Sequence, residues 1–224
     1  MAYQKEMANV EFDRWSASYD RSILQNWLFH PSHETLIAQI EPSDTRLLDV
    51  GCGTGQFLVE VLRRNPQLTA VGLDLSMKML EQGSARFQAF ADRMQAVRGD
   101  SEHLPFADDQ FDVITCSHSF HHYPRQSAVV AEMHRVLKPN GKLLVLDGLR
   151  DTWWGWFIFD IMVTWAEGGV HHCSSARMRQ LYRNSGFNDL KQLKKKWFVP
   201  YLLTVGSAHK MAKAQPKPNL AKAA

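Results

Sequence analysis

Short apolar runs alternate with amphipathic stretches along most of this chain. Four apolar runs of strand length begin near residues 47, 68, 111 and 141. After the first run, apolar residues recur at 58, 61 and 62, the spacing that places side chains on one face of a helix. Strands that alternate with helices favour a parallel sheet covered by helices on both faces. The pattern therefore predicts an α/β protein.

The full pattern predicts one doubly wound α/β domain with a seven-stranded, mostly parallel sheet. The last two strands form a hairpin around Pro200, so we expect the final strand to be reversed. We predict strands at residues 47–50, 68–74, 97–99, 110–117, 141–147, 190–198 and 201–207.

The expected domain covers residues 1–207, and residues 208–224 read as a flexible tail of Ala, Lys and Pro. Residues 1–40 are predicted to form helices that cover the domain, since Phe12, Trp15 and Tyr19 fall on one helix face.

The first strand runs into a glycine turn, with the sequence Leu-Leu-Asp-Val-Gly-Cys-Gly-Thr-Gly from Leu47 to Gly55. Glycine lets a ligand approach the backbone closely, and the following helix start offers free N–H donors to an anion. A dinucleotide fingerprint needs a third glycine at position 56, which is Gln56, so an NAD-dependent oxidoreductase is disfavoured. Asp49 suits an ammonium group better than a pyrophosphate. A ligand with both an ammonium and a carboxylate, such as the methionine part of S-adenosylmethionine, fits both charges.

At this stretch the chain resembles the class I S-adenosylmethionine-dependent methyltransferases. The most similar branch includes the ubiquinone/menaquinone-biosynthesis methyltransferases (methyltransferase type 11). Gly-Leu-Asp-Leu-Ser at 72–76 and Arg-Val-Leu-Lys-Pro-Asn-Gly at 135–141 match the family in the same order. The resemblance covers roughly residues 11–205 and implies S-adenosylmethionine as cofactor and S-adenosylhomocysteine as product.

The cofactor residues follow from the strand ends and from this resemblance. Asp74 ends the second strand 23 residues after Gly51, the spacing of an acid that binds a ribose diol. The resemblance implies that Asp100 meets the adenine amino group, while Glu102 and His103 read as surface loop residues. The expected cofactor-binding set is Tyr19, Asp49, Gly51, Gly53, Gly55, Asp74, Leu75, Met79, Asp100, Ser101 and Ser117.

A histidine-rich loop follows the fourth strand and reads Ser-His-Ser-Phe-His-His-Tyr-Pro over residues 117–124. Ligands bind outside the carboxyl ends of strands in open α/β sheets. Histidine is the natural base near neutral pH, so the candidate bases are His122 first and then His121 and His118, with Asp147 as orienting partner or base. In some resembling O-methyltransferases a His pair and an acid act in this way. The alternative is that these histidines only pack beside the cofactor.

Residues 148–173 are rich in large aromatic side chains, such as Trp153, Trp154 and Phe159. They suit a lid over an apolar acceptor, and a core helix or an interface with a membrane or second subunit stays open. His171-His172-Cys173 lacks a fourth ligand at useful spacing, so we expect no metal site.

Composition narrows the function classes further. A formal net charge of +3 over 224 residues gives no strong sign of nucleic-acid binding. Three cysteines without a secretory signal favour a cytoplasmic protein. No apolar run reaches the roughly 20 residues of a transmembrane helix, although peripheral membrane contact and oligomerisation stay open.

We therefore expect methyl transfer from S-adenosylmethionine to a small aromatic or apolar acceptor, with O- or C-methylation favoured. N-methylation of a small amine or lipid head group is one alternative. A cofactor-binding module without transferase activity is another. Nothing in the sequence identifies the acceptor.

Overall fold

A computed structural model describes residues 31–163, 165, 170–195 and 199–210 of the chain. The predicted N-terminal cover up to residue 30, which includes Tyr19, lies outside the described residues, as does the tail from residue 211. No helix within the described part of the chain is long and apolar enough to cross a membrane.

The core of the molecule is a seven-stranded sheet in the order β3-β2-β1-β4-β5-β7-β6. The first five strands in chain order run parallel, and β7 is antiparallel to both of its neighbours. The predicted seven-stranded, mostly parallel sheet with a reversed last strand is thus confirmed. The strands are β1 Arg46–Val50, β2 Thr69–Asp74, β3 Met94–Arg98, β4 Phe111–Ser117, β5 Leu137–Gly148, β6 Phe187–Lys195 and β7 Tyr201–Ala208.

Helices connect the strands, and serine side chains cap the first turn of two of them. Ser76 Oγ accepts a hydrogen bond from Met79 N at 3.2 Å, and Ser174 Oγ accepts one from Arg177 N at 3.2 Å. The described helices are α1 31–37, α2 Gln56–Arg64, α3 Met77–Gln82, α4 Ser84–Ala89, α5 Gln126–Val136, α6 Trp153–Trp156 and α7 Ser175–Asn184. A 3₁₀ turn at Phe120–His122 follows β4, and a π-helix at Phe157–Val163 follows α6.

Two apolar clusters pack on opposite faces of the sheet, as the two-residue period of a strand requires. In β1, Leu48 belongs to one cluster and Leu47 to the other, and both side chains are fully buried. Burial of each such leucine stabilises the fold by about 1.5–3 kcal/mol. Strands buried on both faces explain why β1 and β4 read as continuous apolar runs.

β5 begins at Leu137, earlier than the predicted start at residue 141, although the sequence Lys-Pro-Asn-Gly at 138–141 is typical of a turn. The pairing register with β4 shifts between Phe111 and Val113, and Asn140 adopts a φ of +64°. Lys138 Nζ contacts Asp112 Oδ1 at 2.7 Å. The expected turn is therefore an irregularity within a longer strand.

The strand order reverses between β1 and β4, where neighbouring connections leave in opposite directions along the sheet. A crevice opens outside the carboxyl ends of the strands at such a point. The glycine turn after β1 and the histidine loop after β4 therefore face one another.

Candidate functional site

A cleft lies at this switch point, with an open volume of about 840 Å³. It brings together nine of the residues proposed from sequence, which are Gly51, Gly53, Asp74, Leu75, Met79, Asp100, Ser101, Ser117 and His122.

The three glycines of the turn have positive φ but different surroundings. A Cβ on Gly51, at φ +77°, would lie 2.8 Å from Tyr123 Oη and overlap the Ser119 side chain. A Cβ on Gly53, at φ +54°, would meet nothing within 4 Å, so this backbone is open to the cleft. A Cβ on Gly55, at φ +76°, would lie 3.0 Å from the Phe87 ring, and Gly55 is not on the cleft wall.

Asp74 is tied to the glycine turn by the backbone. Its Oδ2 accepts a hydrogen bond from Gly53 N at 2.8 Å, and its Oδ1 accepts one from Ser76 N at 2.9 Å. Burial raises the pKa of Asp74 despite these two donors. A carboxylate oxygen can accept more than one hydrogen bond, so Asp74 retains acceptor capacity for a diol.

Asp49 lies deeper, in a smaller adjoining cavity of about 440 Å³ that shares Ser117 with the main cleft. Thr115 is its register partner on β4 and donates a hydrogen bond from Oγ1 to Asp49 Oδ1 at 2.7 Å. Burial raises the pKa of Asp49 to about 7. A cationic group in this cavity would therefore favour the ionised carboxylate.

Asp100 and Leu75, two of the expected cofactor-binding residues, both line the cleft. Asp100 Oδ1 accepts a hydrogen bond from Glu102 N at 2.9 Å, and Leu75 presents a partly exposed apolar side chain. The prediction that Glu102 is a surface residue was wrong, because it is only 2% exposed. Arg125 Nε donates to Glu102 Oε2 at 2.7 Å and explains the inward orientation.

Ser117 Oγ is buried on the wall between the two cavities, with no hydrogen-bond partner among the described residues. A buried polar group left unpaired costs about 1–3 kcal/mol. A ligand with polar groups would remove that cost. The open backbone at Gly53 and the apolar side chain of Leu75 complete a set of groups that fits S-adenosylmethionine.

The candidate catalytic residues separate into His118 and His122 on the cleft wall and His121 and Asp147 behind it. His122 lines the cleft, and burial lowers its pKa to about 3, so its imidazole is neutral at neutral pH. Its ring lies 4.2 Å from that of His121, centroid to centroid. His121 and Asp147 are buried and do not line the cleft.

His121 and Asp147 are joined by two hydrogen bonds. His121 Nδ1 lies 2.7 Å from Asp147 Oδ1, and His121 N donates to Asp147 Oδ2 at 2.9 Å. Burial alone would raise the pKa of Asp147, but the adjacent His121 holds it below its usual range.

Sequence reasoning missed His172 in this cluster. Its ring stacks on His121 with a centroid distance of 4.3 Å, and its Nε2 lies 4.0 Å from Asp147 Oδ1. The sequence places His172 in a separate tract, and only the packing of residues 170–173 brings it to β5.

α1 supplies two further neighbours of the site that the sequence did not single out. Ser32 Oγ lies 2.9 Å from His118 Nε2, and His33 lines the smaller cavity. Both residues lie within the predicted cover helices of residues 1–40, but the apolar pattern of that segment gave no signal for them.

The aromatic segment has a buried part and an exposed part. Phe159 packs against His172 with the ring centroids 4.8 Å apart, whereas Trp153 is 79% exposed. None of the described residues of this segment lines the cleft.

In sequence, this chain is similar to methyltransferases. A family described as "Methyltransferase domain" matches residues 48–145. A ubiquinone/menaquinone biosynthesis C-methyltransferase of Dinoroseobacter shibae is 44% identical over 104 residues, which are 46% of this chain and 42% of that protein. A demethylmenaquinone methyltransferase of Listeria welshimeri is 30% identical over 158 residues, which are 68% of this chain and 67% of that protein.

Among solved structures, a methyltransferase of Haloferax volcanii in complex with the Trm112 methyltransferase activator has a TM-score of 0.74 and 22% identity. The match covers 89% of this chain and 98% of that one, and it shows the shared fold. The chain spans less than half the length of the first curated relatives it matches, 42% and 44%.

Proposed function

We propose that this chain transfers a methyl group from S-adenosylmethionine to a small aromatic or apolar acceptor. The chain belongs to the class I S-adenosylmethionine-dependent methyltransferases, in the branch of the ubiquinone/menaquinone-biosynthesis enzymes. The observation that carries the proposal is the placement of Asp49, Asp74 and Asp100 after or near the ends of three adjacent strands, around an open glycine turn.

Each acid has a distinct role in this proposal. Asp49 receives the ammonium group in the inner cavity, and Asp74 receives the ribose hydroxyls beside Gly53. Asp100, with Ser101 next to it, receives the adenine amino group between Leu75 and Met79. Gly51 shapes the turn rather than contacting the ligand through a side chain, since its Cβ direction is filled by Ser119 and Tyr123.

Bound S-adenosylmethionine supplies an activated methyl group, so the protein mainly has to orient an acceptor and exclude water. Orientation alone can supply about 7–11 kcal/mol of the barrier. His122 is the histidine of the 121–122 pair that reaches the cleft, and in this proposal it takes the acceptor's proton. Burial disfavours the imidazolium that forms, and the negative charge of Asp147, which raises the pKa of His122, stabilises it. His121 and Asp147 hold the His122 ring from behind.

C-methylation of a ring carbon is the preferred form of the reaction. The Dinoroseobacter relative carries the name of a C-methyltransferase of ubiquinone/menaquinone biosynthesis, which supports a quinone-like acceptor for this chain. A cytoplasmic location, domain limits of 1–207 and a lid role for residues 148–173 belong to the same proposal.

Calorimetric titration of S-adenosylmethionine and S-adenosylhomocysteine tests the cofactor site. We expect Asp74→Asn to weaken binding of both by about 10–100-fold, because hydrogen bonds to a charged group contribute about 1.5–3 kcal/mol. Asp92→Asn is the matched control, since Asp92 is an exposed acid whose side chain is 78% accessible. Equal affinity of the two variants would remove Asp74 from the ribose site.

The same proteins test the transfer step with quinone and phenol acceptors. His122→Gln is expected to lower turnover by about 100-fold or more while cofactor affinity is retained, since a positioned base contributes about 10²–10⁴-fold. Wild-type binding of S-adenosylmethionine without turnover of any acceptor, including small amines, would favour the non-catalytic alternative.

A further inference from the structure

Behind the cleft wall, three potential metal ligands from three separate elements converge. His121 lies in the 3₁₀ turn after β4, Asp147 near the end of β5, and His172 in the loop before α7. All three are buried, and one ligand atom from each lies within 4.8 Å of the others. Two imidazoles and one carboxylate are a ligand set used by zinc and by other divalent transition metals.

We propose that His121, Asp147 and His172 bind a divalent transition-metal ion, with zinc as the first candidate. Metal–ligand bonds of about 2.0–2.2 Å place tetrahedral ligand atoms about 3–3.5 Å apart. The distances of 2.7 Å from His121 Nδ1 and 4.0 Å from His172 Nε2 to Asp147 Oδ1 lie on either side of that spacing. Binding of the ion would require each of these two distances to change by about half an ångström.

A hydrogen-bonded ion pair accounts for His121 and Asp147 but not for His172. The 4.0 Å between His172 Nε2 and Asp147 Oδ1 is too long for a hydrogen bond. Yet the His172 ring is buried against His121 and Phe159. A bound metal ion would use this imidazole as a ligand. The ion would also replace the proton that His121 and Asp147 share.

The surrounding backbone holds the ligands in place, as metal sites require. The carboxylate of Asp147 accepts hydrogen bonds from His121 N at 2.9 Å and Gly148 N at 2.7 Å. The loop before α7 is held to the 3₁₀ turn by a bond from His171 N to His121 O at 2.8 Å. The ion would therefore link the histidine loop, β5 and the end of the aromatic segment at His172.

The test uses the full, untagged chain, freed of metal with a chelator and then titrated with zinc chloride by calorimetry. Wild type is expected to bind one zinc ion per chain, and His172→Gln to bind it at least about 100-fold more weakly, since losing even an orienting group outside the ligand set costs 10–100-fold. His171→Gln is the matched control, because His171 is the adjacent residue with an exposed side chain. It should bind zinc as wild type does.

Cobalt substitution and thermal unfolding give two further readouts. Bound Co²⁺ should produce visible absorption bands in wild type and His171→Gln, and zinc should raise Tm in these two proteins only. Asp147→Asn, which keeps the shape of the side chain, should also lose the ion. Circular dichroism establishes that each variant is folded.

The proposal is overturned if folded wild type shows no saturable binding, or if His172→Gln binds zinc as tightly as His171→Gln. S-adenosylmethionine titrations of the same proteins keep this result separate from the proposed activity. Cofactor affinity should be unchanged in His172→Gln, because His172 does not line the cleft.

Discussion

The acidic cleft beside β1, β2 and β3 and the histidine cluster beside β4 and β5 hold their polar groups in different ways. Asp74 is fixed by the backbone N–H groups of Gly53 and Ser76. His121 is fixed partly by Asp147 and partly by ring contacts with His122 and His172. The first region therefore depends on the backbone conformation of the glycine turn, whereas the second adds ring packing to its backbone hydrogen bonds.

This difference predicts which substitutions each region tolerates. A Cβ added to the glycine turn should disturb the cleft, because the backbone there has conformations that other residues rarely adopt. Loss of a ring should disturb the histidine cluster, because ring packing holds its parts together.

The largest effect is expected from Phe159→Ala in the packed region. Phe159 is 7% exposed, and its ring contacts Gly148 and the ring of His172. Replacing a buried phenylalanine by alanine costs about 3–5 kcal/mol. Urea unfolding followed by circular dichroism measures the change.

Trp153→Ala is the control for that measurement, since Trp153 belongs to the same segment but is 79% exposed. Its effect should stay within about 0.5 kcal/mol. Equal losses in the two variants would show that the segment does not pack against the sheet through Phe159.

The second prediction compares Gly51→Ala with Gly53→Ala in the glycine turn. Both residues have positive φ, so alanine costs about 1–2 kcal/mol at either position. Gly51→Ala adds about 1–3 kcal/mol of overpacking, because its Cβ would overlap Ser119. Thermal and urea unfolding should therefore rank Gly51→Ala as the less stable protein, and the reverse order would contradict the packing argument.

The sequence predicted the first region better than the second for a physical reason. Asp49 and the glycines are contiguous, and Asp74 and Ser76 follow the next strand, so local pattern alone placed them at one sheet edge. The family, the doubly wound fold and the reversed last strand are confirmed from such local signals. The ligand contacts of these residues remain predictions.

Long-range partners could not be predicted in the same way. Thr115 meets Asp49 only because β4 pairs with β1 in that register. His172 reaches His121 through the path of a segment with no regular periodicity. Phe159 and Trp153 are both large and aromatic, so their apolar character did not predict that Phe159 is buried and Trp153 exposed. Burial depends on which other residues pack against each ring.

The smallest expected effect concerns the pH dependence of cofactor binding through Asp49. Burial raises the pKa of Asp49 to about 7, so the free protein holds this carboxyl protonated below that pH. If the ammonium group of S-adenosylmethionine binds the ionised form, binding releases a proton below pH 7. Affinity should then rise with pH, by at most tenfold or about 1.4 kcal/mol per unit, and level off above about 7.

Calorimetry between pH 5.5 and 7.5 in buffers of different ionisation enthalpy measures both the affinity and the proton release. Asp49→Asn removes the titrating group and leaves Asp74, whose pKa burial also raises, in both proteins. The difference between the two pH profiles therefore isolates Asp49. If the affinity of the wild type changed as little with pH as that of Asp49→Asn, the ammonium group would lie elsewhere. The smaller cavity would then not be the ammonium site.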